Sequence, residues 1–338
     1  MNHSRFSSII NIGLLLLVIV LVFRSADIAE YENYRWGTQS LVSGEQKFIS
    51  DIEFKISPGK EDWLIKKIDS TKHRAWINVY TFTLPWLRES LLRAKNRGVD
   101  VKVLLEKNPY NSVTINHETI QFLRENKISF HESSEKQFAF LHAKYMIFDD
   151  SWIVQTANWT RSSFSTNREF FVLGSDTSIL TNLSEIFQKD FTGWRGKSSD
   201  SRLLAGPTNA RERLILFLDR SEKEIDIYAP SLTDEEIIQK LNDMCHAGVK
   251  VRILNAEYEE NTQKYDTCLQ VRIMRKPLHA KVILSDMSEW FIGSFNYTKN
   301  SLENNREVWI FIHGQKIREI AQIFENDWQR AEVALDKK

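Results

Sequence analysis

Two histidine–lysine pairs carry the chemistry this sequence is equipped to do. Leu141-His142-Ala143-Lys144 recurs as Leu278-His279-Ala280-Lys281, 137 residues further on. On a strand the first and third residues of His-x-Lys share one face, because the side-chain period is two. An imidazole beside an ammonium suits a phosphate diester: lysine neutralises its charge while histidine attacks phosphorus. A second set supplies another histidine to protonate the leaving oxygen, so nucleophile and general acid are separate groups. Histidine fits both duties because its protonation switches near neutral pH.

The repeat runs past these pairs. Asp149 and Asp286 each stand after four intervening residues, Asn158-Trp159-Thr160 matches Asn296-Tyr297-Thr298, and Asn167-Arg168-Glu169 matches Asn305-Arg306-Glu307. The offset has by then grown to 138, so one residue is inserted between the lysine and asparagine landmarks. The amides of Asn158 and Asn296, and the hydroxyls of Thr156 and Ser294, are candidate donors to phosphoryl oxygens. Glu169 and Glu307 lie 27 and 28 residues beyond the histidines they follow. They are the candidate carboxylates for orienting each imidazole through its second nitrogen. A single His-x-Lys is commonly a solvated strand face, but two copies trailed by the same residues point to a site. His3, His73, His117, His131, His246 and His313 have no such company and read as structural. No metal is expected, since lysine is not a usual ligand and no Cys or His cluster has ligand spacing.

The elements that must position these residues also repeat. Ala75–Thr81 is an apolar, β-branched and aromatic run, Leu84–Asn96 has helical spacing stopped by Gly98, and Val99–Leu105 reads as a buried strand. A helix follows at His117–Glu125. Lys144–Phe148 and Trp152–Thr156 form strands meeting at a turn near Asp150-Ser151, with a strand at Glu169–Leu173 and a helix at Ile179–Phe191. The second half repeats the scheme with Glu224–Tyr228, Asp234–Ala247, Val249–Leu254, Ala280–Leu284, Trp290–Ile292, Glu307–Ile312 and Lys316–Trp328. Alternating strands and helices imply an α/β layered fold. The polar, glycine-containing run Gly193–Pro207 reads as the linker between halves, and Tyr31–Pro58 connects the first half to the N-terminal segment.

Composition narrows the partners. Lys plus Arg and Asp plus Glu each number 45, so the zero net charge lacks the basic surplus usual in a nucleic-acid binder. Cys245 and Cys268 are too few for a disulfide scaffold or a four-thiolate zinc site; they read as buried thiols, or as one disulfide outside the cytoplasm. Ile9–Phe23 is apolar apart from Asn11. It is either a signal peptide or a membrane anchor shorter than the usual span of about 20 residues. Charges around Arg24-Ser25-Ala26-Asp27 spoil the cleavage sites, which favours an uncleaved single-pass anchor over secretion. Arg5 and Arg24 flank it evenly, so the side of the membrane stays open. The expected domains are therefore 1–30 as anchor or signal, 31–195 as the first lobe and 196–338 as the second.

The motif pair resembles the phospholipase D superfamily, marked by His-x-Lys, four residues, Asp, six residues and Gly-Ser-x-Asn. The second copy matches throughout at His279, Lys281, Asp286, Gly293, Ser294 and Asn296. The first matches at His142, Lys144, Asp149 and Asn158, with Gln155-Thr156 in place of Gly-Ser and one residue fewer before it. The resemblance covers roughly Glu61 to Trp328. It implies two homologous α/β sandwich lobes, each a mixed sheet flanked by helices, related by pseudo-twofold symmetry and meeting at one active site. It implies His142 as nucleophile, His279 as acid and then base, a phosphohistidine intermediate, structural roles for Asp149 and Asp286, and no cofactor. Water or an alcohol resolves the intermediate. The superfamily spans phospholipases, cardiolipin and phosphatidylserine synthases, and nucleases. The anchor and the zero net charge favour a phospholipid substrate at a membrane, with DNA or RNA as the alternative. Trp86 and Trp159 are candidates for a membrane-facing rim, against ordinary core packing. An inactive binding scaffold is disfavoured because both motifs are intact. No obligate protein partner is inferred.

Overall fold

The computed structural model describes residues 52–256, 265–314 and 317–333. The expected anchor at Ile9–Phe23 lies outside the described residues. Among those described, no helix is long and apolar enough to cross a membrane.

The described chain builds two mixed sheets flanked by helices. The first half contains β1 (Ile52–Ile56), α1 (Glu61–Ser70), β2 (Arg74–Val79), α2 (Pro85–Asn96), β3 (Asp100–Leu105), α3 (His117–Glu125), β4 (Ser129–Glu132), β5 (Tyr145–Phe148), β6 (Ser151–Gln155), α4 (Arg161–Ser165), β7 (Phe170–Gly174) and α5 (Thr177–Phe191). The second contains β8 (Leu203–Ala205), α6 (Ala210–Leu218), β9 (Glu224–Ala229), α7 (Glu235–His246), β10 (Lys250–Asn255), β11 (Gln270–Ile273), β12 (Val282–Ser285), β13 (Glu289–Gly293), α8 (Lys299–Glu303), β14 (Val308–His313), α9 (Ile317–Arg330) and β15 (Glu332–Val333).

The first sheet has the order β1-β7-β6-β5-β2-β3-β4 and the second β8-β14-β13-β12-β9-β10-β11, with β15 added at the end. Repetition in sequence is thus repetition in topology. In both, three strands are parallel, β2-β3-β4 and β9-β10-β11, and the motif-bearing hairpin is antiparallel. Helices α2 and α3 join the first three, and α7 joins β9 to β10. The alternation of a strand decides the layering. Tyr145 and Ile147 of β5 face a central core shared by both halves, while Met146 and Phe148 face the helices of the first half. Helices α5 and α9 line the shared core through Ile179, Leu183, Phe187, Ile320, Phe324 and Trp328.

The inserted residue lies in a hairpin turn. Phe148 pairs with Ser151, leaving two residues between β5 and β6, whereas Ser285 pairs with Glu289 and leaves three between β12 and β13. Both turns begin on an aspartate with positive φ, 35° at Asp149 and 50° at Asp286. Asp149 accepts the N–H groups of Lys72, His73 and Arg74 at 2.8–3.0 Å, and Asp286 those of Glu222, Lys223 and Glu224 at 2.8–2.9 Å. Burial raises the Asp149 pKa, but those three donors outweigh it and hold the carboxyl below its ordinary value. Each motif aspartate therefore ties its hairpin to the start of β2 or β9.

Three expectations need correcting. The polar run Gly193–Pro207 contains a strand, because Leu203–Ala205 pairs with the edge of β14. Cys245 and Cys268 are a disulfide rather than buried thiols, with Cα atoms 6.1 Å apart. Trp159 is fully buried, edge-on to Phe82 at 4.7 Å, so it forms no rim.

Candidate active site

Each histidine sits on an extended segment just before its strand, and each segment is paired with the other half. His142 N–H donates to the Arg306 carbonyl at 2.8 Å, and Arg306 N–H to the Phe140 carbonyl at 2.8 Å. Reciprocally, His279 N–H donates to the Arg168 carbonyl at 3.3 Å, and Arg168 N–H to the Pro277 carbonyl at 2.8 Å. The two Asn-Arg-Glu segments are thus the backbone partners of the two His-x-Lys segments, crosswise. Those bonds bring the sets into one site.

The glutamates cross in the same way. His142 Nδ1 lies 2.9 Å from both Glu307 oxygens, and His279 Nδ1 stands 2.8 Å from Glu169 Oε1, at a less favourable angle. Each glutamate therefore orients the imidazole of the other half, not the one it follows in sequence. Both carboxylates are fully buried and otherwise satisfied. Glu307 Oε1 accepts from Ser301 Oγ at 2.5 Å and Asn305 Nδ2 at 3.3 Å, while Glu169 Oε2 accepts from Thr156 Oγ1 at 2.5 Å. With Nδ1 engaged by a carboxylate on each ring, the Nε2 atoms are the ones left for phosphorus chemistry.

Lys144 and Lys281 are fully buried, each donating to the carbonyl of its motif histidine, at 2.5 and 2.6 Å. Burial lowers Lys144 to about 7 and Lys281 to about 8, opposed by the glutamates. Burial likewise lowers His142 to about 4, against the pull of Glu307 and with the help of Lys144 and Lys281. It lowers His279 too, with Lys281 and Lys144 adding to the effect and Glu169 opposing. Burial pushes Glu169 and Glu307 upward, but the histidines and lysines prevail and hold both below the ordinary carboxyl value. Lysines of each half thus act on the histidine of the other, so the two motifs form one electrostatic cluster.

The structure gives Thr156 and Ser294 neighbours other than an open cleft. Both are fully buried. Thr156 Oγ1 donates to Glu169 and accepts from Phe170 N–H at 3.0 Å, and Ser294 Oγ accepts from Val308 N–H at 3.0 Å. Their hydroxyls brace the strand ends that carry the glutamates. Asn158 and Asn296 are half-buried on the turns after β6 and β13, and Asn158 Oδ1 is buried without a hydrogen-bond partner. The Gly-to-Gln difference has a packing cause. A Cβ on Gly293 would stand 2.1 Å from the Val308 carbonyl and 2.2 Å from the Trp309 indole. Phe171 occupies the matching ladder position beside Gln155, whose buried amide donates to the Ala157 carbonyl at 2.8 Å.

Several residues of the site went unnoticed in the sequence reading. Arg168 pairs with Asp327 of α9, and Arg306 with Asp190 of α5, all at 2.7 Å, so each arginine reaches the last helix of the opposite half. Their signal was present, inside the repeated Asn-Arg-Glu. Ser301, on Glu307, repeats as Ser163 at the same offset of 138, between the matched threonine and asparagine, so its signal was present too. Tyr80, against His142, lies outside every repeated motif. Among the described residues one set of metal-type ligands gathers elsewhere: His246, Asp266 and Cys268 present their ligand atoms within 4.8 Å of one another, with Cys268 held in the disulfide.

The chain belongs to the family described as cardiolipin synthase, phospholipase D-like domain, whose model matches residues 64–191 and again 214–328. One match thus falls on each half. It is similar to a phospholipase D of Rickettsia felis, 29% identical over 141 residues, which cover 39% of this chain and 68% of that protein. Its fold resembles the phosphatidylserine synthase of Haemophilus influenzae, with a TM-score of 0.66 at 15% identity over 84% of this chain and 88% of that one. It also resembles the polyphosphate kinase of Porphyromonas gingivalis, with a TM-score of 0.68 at 15% identity over 89% of this chain. Only 55% of the kinase chain is matched. The chain is therefore a phosphodiesterase-type enzyme of the phospholipase D superfamily.

Proposed function

We propose that this protein is a phospholipase D-type phosphodiesterase that hydrolyses or transfers phosphatidyl groups through a phosphohistidine, without a metal. The observation that carries the reading is the crossed cluster of two imidazoles, two ammonium groups and two buried carboxylates. With both imidazoles neutral, the two positive and two negative charges cancel. A phosphodiester brings one negative charge, which a single proton on one imidazole balances. One neutral and one protonated histidine is the state that nucleophilic attack with acid catalysis requires.

In the first step His142 Nε2 attacks phosphorus, and the bond to the leaving alcohol breaks as His279 delivers its proton to that oxygen. In the second, His279 takes a proton from water or an acceptor alcohol, whose oxygen attacks phosphorus. The phosphorus–nitrogen bond then breaks and His142 is regenerated. Lys144 and Lys281 offset charge on the non-bridging oxygens, and Asn158 and Asn296 add amide donors. The phospholipid substrate is supported by the likeness to a protein named phospholipase D and by the apolar Ile9–Phe23 segment, read as an N-terminal anchor.

The test offers the full chain, in detergent micelles with EDTA, labelled phosphatidylcholine, phosphatidylglycerol and cardiolipin beside single- and double-stranded DNA. Turnover of lipid, unaffected by the chelator, is expected. Turnover of DNA alone would reassign the substrate, and activity lost to EDTA and restored by a divalent ion would contradict the metal-free route.

A further inference from the structure

The two halves are matched in every catalytic group but not around them. Trp159 N–H donates to the Thr81 carbonyl at 2.9 Å, and Tyr297 N–H to the Ser231 carbonyl at 3.1 Å, which fixes Thr81 and Ser231 as equivalents. The residues before them, Tyr80 and Pro230, therefore correspond. The crossed bonds of Arg306 to Phe140 and Arg168 to Pro277 make those two residues equivalents as well. Two aromatic side chains on the His142 side thus stand where the His279 side has two prolines.

The aromatic pair is built onto the site. The Tyr80 ring meets the His142 ring at a centroid distance of 4.7 Å and an angle of 72°, and Lys144 Nζ lies 5.1 Å from the Tyr80 centroid. Phe140 packs on Tyr80 at 6.3 Å, and Tyr110 on Phe140 at 6.2 Å. Tyr80 is pinned at both ends. Its hydroxyl accepts from Tyr110 N–H at 2.6 Å, and its carbonyl accepts from the Asn116 amide at 2.9 Å. The side chain of His142 is 12% exposed and that of His279 27%. Identical catalytic groups therefore meet different amounts of water.

We propose that Tyr80, backed by Phe140, is the positioning residue that makes the duplicated halves unequal, shielding His142 so that this imidazole, not His279, attacks phosphorus. The inference deepens the phosphodiesterase reading and rests on it. A shielded imidazole stays neutral and keeps its lone pair, whereas the better-hydrated one more readily carries the proton for the leaving oxygen. The charged groups acting on His142 are Glu307, Lys144 and Lys281, and those acting on Tyr80 are Glu106 and Glu307. Substituting Tyr80 leaves all of them in place, so the change isolates the ring.

The experiment follows the His142 imidazole by NMR in the full chain labelled at histidine, across a pH titration, in wild type, Tyr80→Phe, Tyr80→Ala and Phe140→Ala. Phosphorylated histidines are mapped by mass spectrometry after quenched turnover of a phospholipid. Expected are a His142 midpoint raised by about one pH unit or more in Tyr80→Ala, a smaller rise in Phe140→Ala, and none in Tyr80→Phe. The wild-type phosphoryl group is expected on His142. An unmoved midpoint in both alanine variants, or a wild-type phosphoryl group on His279, overturns the inference while leaving the phosphodiesterase reading intact. A wild-type chain that turns over no diester defeats that reading, and this inference with it.

Discussion

Glu307 and Glu169 are buried carboxylates that face the motif imidazoles of the opposite half. Removing either negative charge without changing shape should therefore damage the histidine across the interface. Glu307→Gln is expected to slow formation of the phosphoenzyme about 10²–10⁴-fold, as loss of His142 orientation would, when followed by rapid quench. Glu169→Gln should instead impair the steps in which His279 gives and takes a proton. A second expectation concerns pH. The proposed mechanism uses His142 as a neutral nucleophile, so kcat/KM should rise with pH through about 4. It also requires a proton on His279, whose pKa lies below the ordinary 6.5, and a charged Lys144, which becomes neutral through about 7. The maximum should thus fall on the acid side of neutrality, checked on a soluble short-chain lipid; a maximum above about 8 would contradict this assignment of protons. At this scale the histidines and lysines were legible because the sequence states them twice. The exchange of glutamates was not, because separation along the chain says nothing about which half a carboxylate faces. Tyr80 was silent for the opposite reason: its counterpart is Pro230, so no repeat marks it.

The elements explain why two halves cannot drift apart. Arg306 and Asp190 are both fully buried, and their bond ties β14's entry to α5 of the first half. Burial outweighs the opposing pull of Arg306 and raises the Asp190 carboxyl to about 6, so removing the guanidinium leaves a costly buried acid. Arg306→Ala is expected to lower stability by about 3–5 kcal/mol in urea unfolding, with partial recovery in the Arg306→Ala, Asp190→Asn double variant. The β13–β14 ladder carries a further test. Gly293→Ala places a methyl group against the Val308 carbonyl and Trp309, and should cost about 1–3 kcal/mol, while Gln155→Gly in the first half should cost less. Long buried strands and amphipathic helices were readable from their periodicity, as β2, β3, α2, α3 and α7 show. The edge strands β1, β4 and β8, and β11 next to the edge strand β15, were not. They have three to five residues, and all but β8 are only partly buried, so their apolar pattern is too brief to stand out. β8 was hidden further by the polar run around it.

At the scale of the molecule, the candidate site is assembled from two halves whose motif side chains lack their partners without each other. His142 and His279 each take their carboxylate, their backbone partner and part of their electrostatic field from the other half. The chain should therefore have a single turnover centre despite two copies of His-x-Lys. Duplication was legible from the equal spacing of the motifs, but the crossing that fuses them was not, since it depends on how the Asn-Arg-Glu segments pair in space. The most direct test is the stoichiometry and position of the covalent intermediate. After quenched reaction of the full chain with a phosphorus-labelled diester, the account predicts at most one phosphoryl group per chain. It should sit on His142, be absent from His142→Asn, and accumulate in His279→Asn when the leaving group needs no acid. Two labels on one chain, or label on neither histidine during turnover, would contradict it.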